Sequence, residues 1–148
     1  MRNRIHHIVA VLSLAFVPGL LSATVPGTAV DPAATEAAES WLALLDAGEY
    51  HESWAEAGRT FQDAMTAETW AQQAASARQQ VGEPVAREIA QTTPMTDPPG
   101  APPGEYVQIQ YRSEFSEVGA ANEMVVVVNE ADRGWRVVGY FVQPASGA

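Results

Sequence analysis

The chain contains no cysteine and no lysine. Without cysteine there is no disulfide, no zinc-thiolate or iron–sulfur site, no thiol nucleophile, and no lipid anchor of the kind attached to a cysteine at a signal cleavage site. Without lysine, the basic side chains reduce to eight arginines against eighteen acidic residues, a formal net charge of −10. A phosphate backbone needs a basic patch, so nucleic acid is not an expected partner. Histidine is also scarce: His6 and His7 lie near the start, and His51 alone follows. Metal binding through nitrogen or sulfur needs three or four converging ligands, so only a carboxylate site for calcium or magnesium remains, and no segment has the calcium-loop pattern. Neither metal nor cofactor is expected. Long apolar runs are missing too. The longest, Ile8 to Leu21, is broken by Pro18 and Gly19 and falls short of the roughly 20 residues that span a bilayer.

That run nevertheless follows Arg2 and Arg4 and precedes small residues through Ala29, which is the layout of a cleavable secretory signal over residues 1–29. Cleavage is expected after Ala29, the other candidate being Ala23. The mature protein is then expected in a periplasm or outside the cell, with no membrane anchor. Removing Arg2 and Arg4 takes two positive charges from −10 and leaves −12. An acidic surface of this kind keeps a secreted protein dispersed. The remaining roughly 119 residues are enough for one domain with a single core.

Residues 30–34 read as a flexible lead-in, with Thr35 as the first helix cap. Ala38, Trp41, Leu42 and Leu45 then recur at three- and four-residue spacing, the apolar stripe of a helix stopped by Gly48. Tyr50, Trp54 and Ala57 repeat the spacing in a second helix, ended by Gly58. A third starts near Thr66, carries Trp70, Ala74, Ala77 and Val81, and ends at Gly82-Glu83-Pro84. The period then changes to alternation. Val85, Arg87, Ile89 and Gln91 form a first strand. Thr92 to Gly104 holds five prolines and reads as a loop whose shortening should matter little. Val107, Ile109, Tyr111 and Phe115 share one face of a second strand, and Glu123–Asn129 and Trp135–Val142 form a terminal hairpin. Residues 35–143 are therefore expected to form one domain, with 144–148 a disordered tail. Three N-terminal helices should pack on a four-stranded antiparallel, curved sheet of the α+β class.

The last two strands are apolar on both faces, from Met124 to Val128 and from Val137 to Val142. Helices cover one face only, so the other needs a partner or strong curvature. The expected partner is a second copy, in a homodimer centred on Val125, Val127, Val138 and Tyr140.

As a set, Trp41-Leu42, Asp46, Gly48, Tyr50, Ser53-Trp54, Phe61, Trp70, Arg78, Gly82, Arg87, the loop from Pro99-Gly100 to Tyr106, Phe115, Glu123 and Trp135-Arg136-Val137-Val138-Gly139-Tyr140 resemble a bacterial family of uncharacterised secreted proteins, domain of unknown function 4019. The resemblance runs from Ala38 to Val142. It departs at Pro103, where such proteins usually carry an acidic residue. What the resemblance implies is a fold and a compartment. The order of elements is also similar to the cone-shaped folds of nuclear transport factor 2 and the cystatins, an analogy that carries no function.

Candidate chemistry is sparse. His51 lies near Asp46, Glu49 and Glu52, and would qualify as a catalytic base only inside a cavity within hydrogen-bond reach of Asp46. Ser53 lacks the glycine-bracketed turn of a nucleophile elbow. Trp41, Trp54, Trp70 and Trp135 lie on apolar stripes and read as core. Arg87 shares a strand face with apolar residues and Glu123 opens an apolar strand, so each needs a charge partner. If a small-molecule pocket exists, it is expected at Arg87, Tyr106, Tyr111, Glu123 and Tyr140. Two function classes follow: a non-catalytic small-ligand-binding or protein-interaction module, or a small hydrolase or lyase using a pocket His, Asp or Tyr. The shortage of titratable candidates favours the first.

Overall fold

The computed structural model describes residues 29–146. Residues 1–28, all but the last residue of the expected signal segment 1–29, and residues 147–148 lie outside the described part. Four helices, α1 (Pro32–Asp46), α2 (Tyr50–Glu56), α3 (Arg59–Ala64) and α4 (Ala67–Val81), precede four strands, β1 (Pro84–Thr96), β2 (Glu105–Phe115), β3 (Gly119–Glu130) and β4 (Gly134–Pro144). The strands form one open antiparallel meander in the order β1-β2-β3-β4. The α+β class is as the sequence indicates, with a fourth short helix added between Gly58 and Met65.

Local chemistry explains the helix ends. The Asp31 side chain accepts the Ala33 amide at 2.9 Å and Pro32 follows at the first helical position, so α1 starts three residues before the expected Thr35. Residues 30–34 are therefore mostly helix and not a flexible lead-in. At the other end Gly48, at φ +76, lets the Glu49 amide bond to the Leu44 carbonyl and the Gly48 amide to that of Leu45. Thr66 caps α4, accepting the Thr69 amide at 3.2 Å.

Helices and sheet meet over Trp41, Phe61, Trp70 and Tyr140, whose ring centroids lie 4.8 to 6.2 Å apart. Ser53, completely buried, joins them: its carbonyl accepts the Trp41 indole N–H and its hydroxyl accepts that of Trp70. Val107, Ile109, Val125, Val127, Val137 and Tyr140 complete this core on the helix-facing side of the sheet.

A bulge at Val138 changes the parity of β4, because Val127 pairs with Val137 and Val126 with Gly139. Strict alternation in the sequence places Val137 with Phe141; the bulge instead puts Val137 with Tyr140 and Val142. Val125, Val127 and Tyr140 are thus sealed beneath the helices, and Val138 is buried on the opposite side, at 0, 0, 3 and 1% exposure. None of the four is available as the centre of a dimer interface.

The outer face acquires its cover from the chain's own proline-rich segment and, around Val138, from Gly58 and Met65 at the two ends of α3. Tyr106, Val128 and Val138 form a second buried cluster, packed against Met65, Met95, Ala101 and Val126. The Tyr106 hydroxyl donates to the Pro102 carbonyl at 2.8 Å, and Asp97 closes the loop by accepting the Gly104 amide. A freely dispensable loop is not what the structure contains. Its first five residues are also strand: Thr92–Thr96 pairs with β2, and Pro94 lies opposite Val107. This is tolerated because β1 is an edge strand, where a nitrogen turned outward costs no ladder bond. Two residues of the expected tail are held by the sheet. Pro144 pairs with Ala121, and the Ala145 amide donates to the Ala120 carbonyl.

Candidate functional site

Two polar constellations stand out, one inside and one outside the sheet. The inner one collects a charged side chain from each of four elements. Asp46 ends α1, Arg78 lies in the last turn of α4 on the buried stripe of Trp70 and Ala74, Arg87 rises from β1, and Glu123 lies on β3. Glu123 is inaccessible to solvent. Its Oε1 accepts from Arg87 Nε at 2.7 Å and Ser113 Oγ at 2.6 Å, and its Oε2 accepts from the Tyr140 hydroxyl at 2.5 Å and Arg87 Nη2 at 3.3 Å. Arg87 also forks onto Asp46, with Nη1 to Oδ2 at 2.8 Å and Nη2 to Oδ1 at 3.2 Å, and Arg78 reaches the same Oδ1 at 2.6 Å. Two guanidinium groups and two carboxylates balance in charge.

The electrostatics follow from these contacts. Burial pushes the Asp46 carboxyl up, but the hydrogen bonds and charges of Arg87 and Arg78 outweigh it and hold the group below its ordinary range. Burial acts against a charged Arg87, yet Asp46 and Glu123 raise its pKa further above the ordinary arginine value. Tyr140 is pushed well above the usual phenol range, first by burial and then by the adjacent Glu123 charge. Tyr111, on the same face, is pushed up to about 12 by burial and the negative charge of Glu39, and its buried hydroxyl has no hydrogen-bond partner. Two nitrogens of Arg78, Nε and Nη1, are likewise buried without an acceptor; the guanidinium lies 5.5 Å from the Phe115 ring centroid, whose π face offsets part of that loss. A cavity of about 340 Å³ adjoins this end of the network, lined by Asp46, Tyr50, Arg78, Ser116 and Glu117 among others.

A carboxylate has about four acceptor positions, and those of Glu123 are all taken. It cannot receive a substrate proton without dismantling the network. His51 is exposed on α2, and both Asp46 oxygens are occupied by arginine, so the pairing a histidine base would need is not made. Among the described residues no group of three or more His, Cys, Asp or Glu is arranged to hold a metal.

The outer constellation is a trough of about 620 Å³ on the sheet face away from the helices. Gln110 and Arg112 of β2, Asn122 and Met124 of β3, and Phe141 and Gln143 of β4 line it. Alternation on the pleat places these side chains together, because Gln110 pairs with Met124 and Met124 with Phe141, while Arg112 pairs with Asn122 and Asn122 with Gln143. Through Met124 and Phe141 the trough runs into a narrow apolar slot of about 60 Å³ beneath the loop, walled by Met95, Pro98, Tyr106 and Val126.

Of the five residues singled out from the sequence, the structure unites three, Arg87, Glu123 and Tyr140, through direct bonds. Tyr111 lies on the same face without joining them. Tyr106 is on the opposite face, under the loop, where burial and the charge of Asp97 push its hydroxyl pKa up. Sequence reasoning passed over Arg78, whose eight-residue offset from Trp70 puts it on the buried stripe, and Ser113, which alternates with Tyr111 and Phe115. It also left out Gln110, Asn122 and Gln143, which carry no signal until strand register aligns them.

Fold and sites define an α+β domain with helices on one face of an antiparallel meander and a polar trough on the other. The chain belongs to the DUF4019 family, proteins of unknown function, whose family model matches residues 37–140. No curated protein and no solved structure matches it.

Proposed function

We propose that this chain is a non-catalytic binding module, exported to the periplasm or beyond, that receives a small ligand on the outer face of its sheet. One observation carries the reading: the trough is the largest of the concavities described, and its polar side chains are free. No internal hydrogen bond engages Gln110, Asn122 or Gln143 among the described residues, whereas Glu123, Arg87 and Asp46 are consumed by one another. Pockets of several hundred cubic ångströms with a few convergent polar groups and an apolar wall are the usual form of a small-molecule site. The competing hydrolase or lyase reading would need an available acid or base in the trough, and Arg112 is its sole charged side chain besides the saturated Glu123.

Export is supported by the arrangement of Arg2, Arg4 and the Ile8–Leu21 run. N-terminal sequencing of protein from the producing cell should begin at Val30; a retained Met1 in the membrane fraction would refute it. For the site itself, amide spectra of ¹⁵N-labelled residues 30–148 should change at β2, β3 and β4 on addition of a periplasmic small-molecule extract. Changes confined to the helices or to the cavity beside Arg78 would refute the placement.

A further inference from the structure

We propose that the trough takes a neutral carbohydrate, held by side-chain amides, with a small apolar substituent such as an acetyl methyl seated in the slot beneath Pro98. The inference rests on the binding reading above and specifies its ligand. Three features argue for it together.

The first is the donor and acceptor balance. Gln110, Asn122 and Gln143 each offer a carbonyl acceptor and an N–H₂ donor in one plane. Each sugar hydroxyl likewise donates and accepts, so an amide-rich lining satisfies such a ligand without leaving either side unpaired. A fatty acid or an aromatic compound would instead strand those amides against carbon.

The second is charge. Arg112 is the one cation of the trough, and it faces Glu88 of the adjacent strand at 3.7 Å, both side chains being well exposed. Glu123 is neutralised by Arg87 from the other side of the sheet. The surface presented to a ligand is therefore close to neutral, while the chain as a whole carries −10. An anionic ligand would meet the field of an acidic protein with a single shared guanidinium to hold it. A cationic ligand has no free carboxylate in the trough.

The third is shape. Phe141 and Met124 form an apolar floor between the polar positions, suited to the C–H face of a pyranose, and the slot they lead into measures about 60 Å³. That is roughly the share of two liquid waters, too small for an acyl chain or a second ring and enough for a methyl or acetyl group.

The test is a titration of ¹⁵N-labelled residues 30–148 with glucose, N-acetylglucosamine, decanoate and glycylglycine separately, read by amide spectra. Saccharides should shift the backbone and side-chain amides of Gln110, Asn122 and Gln143, and the N-acetyl sugar should bind more tightly and also shift Ala101 and Met124. Gln110→Leu and Asn122→Leu, both at solvent-facing positions, should each weaken binding about tenfold with unchanged helical circular dichroism. Raising the ionic strength from about 0.02 to about 0.5 M should change it less than about twofold, because the ligand is neutral. Response to decanoate or glycylglycine but to neither sugar would overturn the carbohydrate assignment and leave the binding surface standing. Silence with all four would overturn both, and sugar binding that falls steeply with salt would overturn neutrality.

Discussion

Replacing Arg87 with methionine isolates what the inner network contributes. Methionine keeps most of the length and apolar volume of the side chain, so the perturbation is chiefly the removal of a guanidinium that bonds Glu123 and Asp46 simultaneously. The two carboxylates fare differently. Asp46, with a side chain 26% exposed, retains Arg78 and some water. Glu123, at 0%, keeps only Ser113 and Tyr140 and becomes a buried charge with no cation. Stranding one member of a buried pair costs about 3–5 kcal/mol, against a net stability of roughly 5–15 kcal/mol for a domain of this size. Urea unfolding followed by tryptophan emission should show an unfolding free energy lowered by that amount at pH 7. Adding Glu123→Leu should recover part of the loss, because removing both partners eliminates the stranded charge. A cost below about 1 kcal/mol with unchanged denaturant dependence, or a double variant whose losses simply add, would refute the reasoning.

Three other outcomes are expected. Tyr140 and Tyr111 both have folded pKa values raised above the unfolded value near 10, so their contribution is complete below that pH and lost as pH rises toward and beyond 12; urea midpoints measured from pH 8 to 12 should decline from about pH 10, and Tyr140→Phe should flatten the decline. Gly82→Ala should cost more than Gly48→Ala, about 1–3 against 1 kcal/mol by thermal melts, because both glycines have positive φ but an added methyl at Gly82 would meet Ser116 Oγ and lie 2.8 Å from the Glu117 amide, while Gly48 faces open space. Val127→Glu should abolish folding and not merely dissociate a dimer, since Val127 is fully buried beneath the helices; circular dichroism showing a folded monomer would contradict the assigned sheet parity.

The sequence is legible where a signal is local. Three helices, the change of period at Pro84 and the final hairpin follow from spacing and from glycine and proline placement. Asp31-Pro32 is as plain a helix start as Thr35, a local signal hidden among small residues that read as a lead-in. The prolines of Thr92–Gly104 suggested loop throughout, yet an edge strand accepts Pro94. The bulge at Val138 has no local signature in a run of valines, and one extra residue is enough to take Val138 off the face it would otherwise share with Tyr140. The need of Arg87 and Glu123 for partners was readable from their apolar surroundings. That Asp46, Arg78, Ser113 and Tyr140 supply the rest depends on contacts 10 to 41 residues apart, which only the packed fold brings about.

One contact has implications for how the domain is born. The Trp135 indole N–H on β4 donates to the Asp31 carboxylate that caps α1, across 104 residues, and α1 also packs on β3 and β4. During synthesis at about 5–20 residues per second, the helices emerge long before the strands that cover their apolar stripes. The meander itself can zip between neighbours as it appears, but the first helix has no complete surface to lie on until the last strand is free. The export proposed above would suit this order, since it would postpone every long-range contact until the whole domain is on one side of the membrane. A chain truncated before Gly134 would leave Trp41, Leu42 and Leu45 with no finished sheet to dock on, and would be a substrate for proteases, not a shorter working domain.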